Sequence, residues 1–197
     1  VSGAAARPEI VLVRHAETEW SRDGRHTGRT DIPLTDAGRA AAVALAPRLA
    51  ARQFALVLCS PLSRARETCA LAGLGKRAQY RDDLLEFDYG DYEGLTSAQI
   101  LEQRPDWSLW RDGCPGGERP ADVGARAERV IDECERAGGD VVVFSHGHVL
   151  RILAARWIGL DAASGALLAL DAAALAVLGH EHDWRVLRRW NLIAGEA

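Results

Sequence analysis

Two apolar runs, Ile10-Val11-Leu12-Val13 and Val141-Val142-Val143-Phe144, stand out from an otherwise mixed chain, and each hands over to a polar, histidine-bearing segment. Unbroken runs of β-branched and aromatic residues predict strands covered on both faces, as in a parallel sheet. Ala55 to Cys59 predicts a further short strand broken at Ser60-Pro61, and Gln79 to Leu84 a peripheral one. Helical patterning lies between them. Thr35 stands as an N-cap ahead of an alanine-rich helix over Asp36–Arg52, and a helix from about Leu62 to Leu71 is stopped by Gly73 and Gly75. A short helix is expected near Thr96–Gln103, a charged one over Arg119–Ala137 and another over about Val149–Ile158. Two or three strands close the chain up to about Trp190. The alternation of strand and helix predicts one α/β domain with a mostly parallel sheet.

The remaining segments are loops. Glu17 to Pro33 reads as a polar, glycine-bearing connection, and about 86–118, rich in aromatics, acids and glycine, as a lid over a site. Residues 1–8 are expected to form a frayed tail, 9–191 the domain, and 192–197 a C-terminal tail. In open α/β sheets, ligands bind at the carboxyl ends of strands. Arg14-His15 and Ser145-His146-Gly147-His148 are therefore expected to meet in one cationic site, which suits an anion and can present a histidine nucleophile.

Composition narrows the classes. At 197 residues, 48% hydrophobic and 26% charged, the chain has the size and balance of one soluble globular domain. A net charge of -4 argues against nucleic-acid binding, which needs a basic face. No stretch reaches the roughly 20 apolar residues that span a bilayer, and Val1–Pro8 lacks the apolar segment of a signal peptide. Cys59, Cys69, Cys114 and Cys134 show no metal-ligand spacing and read as reduced thiols of a cytoplasmic protein. His180-Glu181-His182-Asp183 reads as a solvated turn between the terminal strands rather than a metal cluster.

Five ordered segments resemble the histidine phosphatase superfamily, also called the phosphoglycerate mutase-like family. They are Val11–Trp20 with its Arg14-His15-Ala16-Glu17-Thr18, Thr27–Thr35, Ser60–Thr68, Leu85–Gly90 with Glu93-Gly94, and Ser145–His148. The resemblance implies a single-domain, three-layer α/β/α fold with a mostly parallel central sheet. It also implies a phosphohistidine intermediate on His15, with Arg14, Arg64 and His146 cradling the phosphate and Glu86 as general acid and base. Two arginine forks suit a phosphate better than a lysine point charge. A carboxyl that protonates an alkoxide leaving group needs a pKa raised toward neutrality, and burial under the aromatic-rich segment would supply that. Ser21, Thr27, Gly28, Tyr89, Gly147 and His148 align with substrate contacts, with the Gly28 amide expected to touch the substrate. Ala16 departs from the family's usual glycine.

No metal or other cofactor is expected, and the partner is a small phosphate ester, with a homodimer a further expectation. Hydrolysis is favoured over a mutase because only sixty positions separate Glu86 from His146, leaving little room for a longer excursion bearing basic residues. A closer resemblance to sedoheptulose-bisphosphatase-like enzymes and bacterial acid phosphatases points to sugar phosphates, with Arg111 a candidate for a second phosphate. A non-catalytic phospho-ligand-binding module and a metal-dependent hydrolase remain as rivals.

Overall fold

The computed structural model describes residues 7–193. In chain order the elements are β1 (Ile10–Arg14), α1 (Glu19–Arg22), α2 (Asp36–Ala44), α3 (Ala46–Ala50), β2 (Leu56–Cys59), α4 (Ser63–Leu71) and β3 (Gln79–Tyr80). They continue with α5 (Ser97–Gln103), α6 (Leu109–Asp112), α7 (Pro120–Arg136), β4 (Val141–Ser145), α8 (Gly147–Trp157), β5 (Leu175–Glu181) and β6 (Trp184–Leu192). Six strands form one sheet in the order β3-β2-β4-β1-β5-β6. β1, β2, β3 and β4 run parallel, and β5 and β6 add an antiparallel pair beside β1.

The alternation of side chains along a strand explains the two apolar runs. Ile10, Leu12, Val141 and Val143 pack on one face with α7 and α8, while Val11, Val13, Val142 and Phe144 pack on the other with α2, α3 and α4. Every position of those runs is buried because helices cover both faces. The result is the expected three-layer α/β/α domain.

The long helix expected over Asp36–Arg52 is two helices, α2 and α3, that meet at Leu45. Pro47 lies in the first turn of α3, where its missing N–H costs nothing, but it could not continue α2. The peripheral strand is shorter than expected: only Gln79 and Tyr80 pair, and Asp82–Leu84 turns into a 3-10 helix. The C-terminal helix starts at Gly147, not Val149, so its first turn lies inside the second-histidine motif. The segment read as a lid carries α5 and α6 and plants Phe87, Tyr89, Tyr92, Ile100, Trp107 and Leu109 in the core on the α7–α8 face. Residues 1–6 and 194–197, parts of the two expected tails, lie outside the described residues; Arg7 pairs with Asp183, and Leu192 ends β6.

Candidate active site

β1 and β4 lie side by side with Arg14 opposite Ser145, so the two histidine motifs leave the sheet together. His15 N–H donates to the Ser145 carbonyl (2.8 Å), and the His15 and His146 rings lie 5.1 Å apart. His15 is 4% exposed. Its Nδ1 is 2.7 Å from the Ala16 carbonyl, which can only accept; the proton therefore sits on Nδ1 and the lone pair on Nε2. Burial first, then the charges of Arg64 and Arg14, hold His15 well below the ordinary histidine range. The ring is thus a neutral imidazole with a nucleophilic nitrogen. Ala16 causes no strain, since its φ is not positive; its N–H donates to Thr68 Oγ1.

Arg14 Nη1 donates to the Leu170 carbonyl (2.5 Å), and Arg14 Nε–H has no partner among the described residues. A phosphate oxygen would satisfy that donor. The Leu170 carbonyl is itself held in place. Asp171 N–H donates to Asn191 Oδ1 and Asn191 Nδ2 returns the bond to Asp171 Oδ2, both 2.7 Å.

Arg64 and His146 are fully buried and stand behind His15 rather than in the cavity wall. Arg64 donates Nη2 to the Thr27 and Gly28 carbonyls, Nη1 to the Thr30 carbonyl and Nε to His146 Nδ1 (3.1 Å). Those bonds occupy four of its five N–H groups. His146 therefore carries its proton on Nε2 and donates it to Ser60 Oγ (2.7 Å). In this geometry the pair places positive charge behind His15 and fixes the loop at Thr27–Thr30, and the expected donor of His146 points to Ser60.

Glu86 is 4% exposed and lines the cavity with His15. Its carboxylate accepts N–H bonds from Phe87, His148 and Val149, the last two from the first turn of α8. These bonds hold the carboxyl group against the start of α8, in the cavity wall beside His15.

The cavity, about 210 Å³, is also lined by Ser21, Arg25, His26, Thr27, Tyr89, Ser97, Gly147, His148 and Arg151. Five of the six expected substrate contacts, Ser21, Thr27, Tyr89, Gly147 and His148, sit there. Ser21 completes the capping box of α1, and Thr27 Oγ1 donates to the Arg25 carbonyl. A Cβ added at Gly147 would come within 3.3 Å of the Arg14 guanidinium, so this position suits glycine. Tyr89 and His148 are bonded to each other (2.6 Å). Gly28 is the exception. Its N–H is held by both carboxylate oxygens of Glu93 (2.9 and 3.0 Å), and it does not line the cavity. Arg111 is also elsewhere, exposed and paired with Asp112; the cations that share the cavity with Arg14 are Arg25 and Arg151. Among the described residues no group of three His, Cys, Asp or Glu side chains is placed to hold a metal ion.

Sequence reasoning missed Arg126. From α7 its buried guanidinium donates to the carbonyls of Asp83, Leu85 and Glu86 and to both oxygens of Glu118, which in turn accepts Asp88 N–H. One side chain thus fixes the backbone on both sides of Glu86. Arg126→Ala is expected to cost about 3–5 kcal/mol, the usual result of breaking a buried pair. The exposed Arg185–Glu135 pair serves as the control, at under about 1 kcal/mol. Urea unfolding of the two variants checks this; equal midpoints would contradict it.

Burial also holds His146, His148 and His26 below the ordinary histidine range. Above pH 7 these rings and His15 are neutral folded or unfolded and contribute nothing to pH dependence. Below about 6.5 the unfolded chain takes up protons that the folded one refuses, so stability falls with pH, by up to about 1.4 kcal/mol per pH unit for each ring. Melting temperatures of the unliganded protein at pH 7.5, 6.5 and 5.5 should therefore decline steadily; a flat or rising series would contradict this account.

Fold and site together are those of a phosphomonoesterase. The chain belongs to the histidine phosphatase superfamily (branch 1), whose sequence profile matches residues 10–193. It is 41% identical over 182 residues to an acid phosphatase of Mycobacterium tuberculosis, covering 90% of this chain and 89% of that one. It is 37% identical over 186 residues to sedoheptulose 1,7-bisphosphatase of Saccharomyces cerevisiae, with coverage of 78% and 68%. A 2,3-bisphosphoglycerate-dependent phosphoglycerate mutase of Mesorhizobium japonicum is 36% identical over 176 residues, with coverage of 79% and 82%. A solved structure of an open reading frame product from Mycobacterium tuberculosis superposes with a TM-score of 0.90 at 40% identity, covering 95% of this chain and 98% of that one. Among the described residues no helix is long and apolar enough to cross a membrane.

Proposed function

We propose that this chain hydrolyses small phosphomonoesters, sugar phosphates among them, through a phosphohistidine on His15 and without a metal ion. The observation that carries this reading is the state of His15: a buried, neutral ring with Nδ1 bonded to Ala16 and Nε2 left as a nucleophile in the cavity shared with Arg14 and Glu86. In the first step His15 Nε2 forms a bond to phosphorus as the ester P–O bond breaks, and Glu86 gives its proton to the leaving oxygen. In the second step Glu86 takes a proton from water, whose oxygen displaces Nε2 and releases inorganic phosphate. Arg14 holds the oxygens over which charge spreads, and the Arg64 guanidinium adds positive charge from behind.

Three features support the substrate class. The cavity is below the roughly 300–1,000 Å³ of drug-sized sites, which suits a small ester better than a phosphoprotein. Arg25 and Arg151 suit a substrate with a second anionic group. Relatives named for a sugar bisphosphate and for acid phosphatase activity point the same way.

Phosphate release in EDTA from a panel of sugar phosphates, sugar bisphosphates and 3-phosphoglycerate tests the proposal. Metal-free release that is lost in His15→Ala is the expected result. Isomerisation of 3-phosphoglycerate without release would replace hydrolysis by the mutase reading, and no turnover would leave a binding module.

A further inference from the structure

His26 was not singled out by any motif, yet it lines the cavity with His148, and the bonding of each ring determines its tautomer. His26 Nδ1 is 2.9 Å from the Leu95 carbonyl, an acceptor only, so the proton sits on Nδ1 and Nε2 carries the lone pair. The opposite holds for His148. Its Nδ1 is 2.6 Å from Tyr89 Oη, and the buried Tyr89 hydroxyl has no other acceptor among the described residues, so its proton is directed to Nδ1. His148 Nδ1 accepts, and its proton sits on Nε2.

The two rings are nearly parallel (2°) with centroids 6.3 Å apart, and the Tyr89 ring stands edge-on to both. Neither Nε2 has a partner among the described residues, and neither is sealed from solvent. The cavity wall thus presents an acceptor, His26 Nε2, beside a donor, His148 Nε2–H.

We infer that His26 and His148 form a hydroxyl-reading pair that selects esters whose leaving group is a polyol. A hydroxyl accepts from His148 and donates to His26, in one group or in two adjacent ones. A carboxylate cannot donate to His26, an ammonium group cannot accept from His148, and an alkyl chain leaves both nitrogens unsatisfied. Sites built to bond a substrate hydroxyl discriminate strongly against the analogue lacking it, because their polar groups are then buried without partners. This inference rests on the proposed hydrolysis and specifies which leaving groups that reaction accepts.

The test compares kcat/KM for sorbitol 6-phosphate and n-hexyl phosphate, which share a six-carbon chain and differ in hydroxyls. The ratio of the two constants does not depend on how much of a variant is folded. The wild-type enzyme should favour the polyol ester. His26→Phe should lower the ratio at least tenfold, and His26→Gln, which keeps a polar atom near the position of Nε2, should restore part of it. A wild-type ratio near one, or a ratio unchanged in both variants, overturns the inference. His15→Ala is measured alongside: undiminished hydrolysis of both esters there would refute the reaction itself and not the pairing of His26 with His148.

Discussion

His15→Ala should lower kcat/KM for every phosphomonoester by about 10⁴-fold or more, the scale seen when a covalent nucleophile is removed from a site whose parts act together. His146, whose ring lies 5.1 Å away, cannot take over. Its Nδ1 accepts from Arg64 and its Nε2–H is directed to Ser60, so it offers no lone pair to phosphorus. The variant should still bind inorganic phosphate, because Arg14 and its support from Leu170 are untouched. It should also show a shallower loss of stability at acid pH, since one buried ring that resists protonation is gone. Steady-state kinetics and isothermal titration with phosphate check the two halves of this expectation. A variant that keeps more than a tenth of the activity would place the nucleophile elsewhere.

The second large effect concerns Glu86. Glu86→Gln should reduce turnover of alkyl phosphates by about 10²–10⁴-fold, the usual contribution of a positioned general acid. The amide keeps an oxygen for the Phe87 and Val149 N–H groups but turns an NH₂ toward His148 N–H, where the carboxylate accepts. The chemical loss depends on the leaving group. p-Nitrophenolate leaves without a proton, so the first step with p-nitrophenyl phosphate should survive, while the second step still lacks its base. The variant should therefore release a burst of about one p-nitrophenol per site and then slow sharply. Equal losses for alkyl and aryl esters with no burst would remove Glu86 from the proton transfer and leave Asp88 or a water as the alternative.

Much of the fold was legible because both helical faces of the sheet leave a direct mark on the sequence. Strands covered on two sides read as unbroken apolar runs, and Thr35, whose Oγ1 accepts Gly38 N–H, marks the start of α2 as a cap should. Pro47 was a visible signal for the break between α2 and α3 that the alanine-rich pattern concealed. The four-residue helices α1 and α6 left no periodicity to read.

At the site, the motifs brought Arg14, His15, Glu86 and His146 together: Arg14, His15 and His146 sit at or just past the ends of β1 and β4, and Glu86 accepts N–H bonds from the start of α8. What escaped depends on contacts distant in sequence. His26 is bonded to Leu95, Arg126 holds the backbone around Glu86, and Glu93 takes the Gly28 amide that the motif assigned to substrate. Arg111 was a candidate for a second phosphate through the resemblance, while the fold turns Arg25 and Arg151 to the cavity instead. Residue types alone could not rank those three arginines, because only the path of the chain determines which cations share a wall with His15.

The most direct test of the mechanism is to trap the intermediate. The enzyme is mixed with ³²P-labelled ester for milliseconds, quenched in alkali, digested and mapped. The account predicts label on the peptide that contains His15, stable in alkali and lost in acid as a phosphoramidate is, absent from His15→Ala and accumulated in Glu86→Gln with the aryl ester. Full turnover by the wild-type enzyme with no alkali-stable label, or with label on a peptide lacking His15, would contradict it.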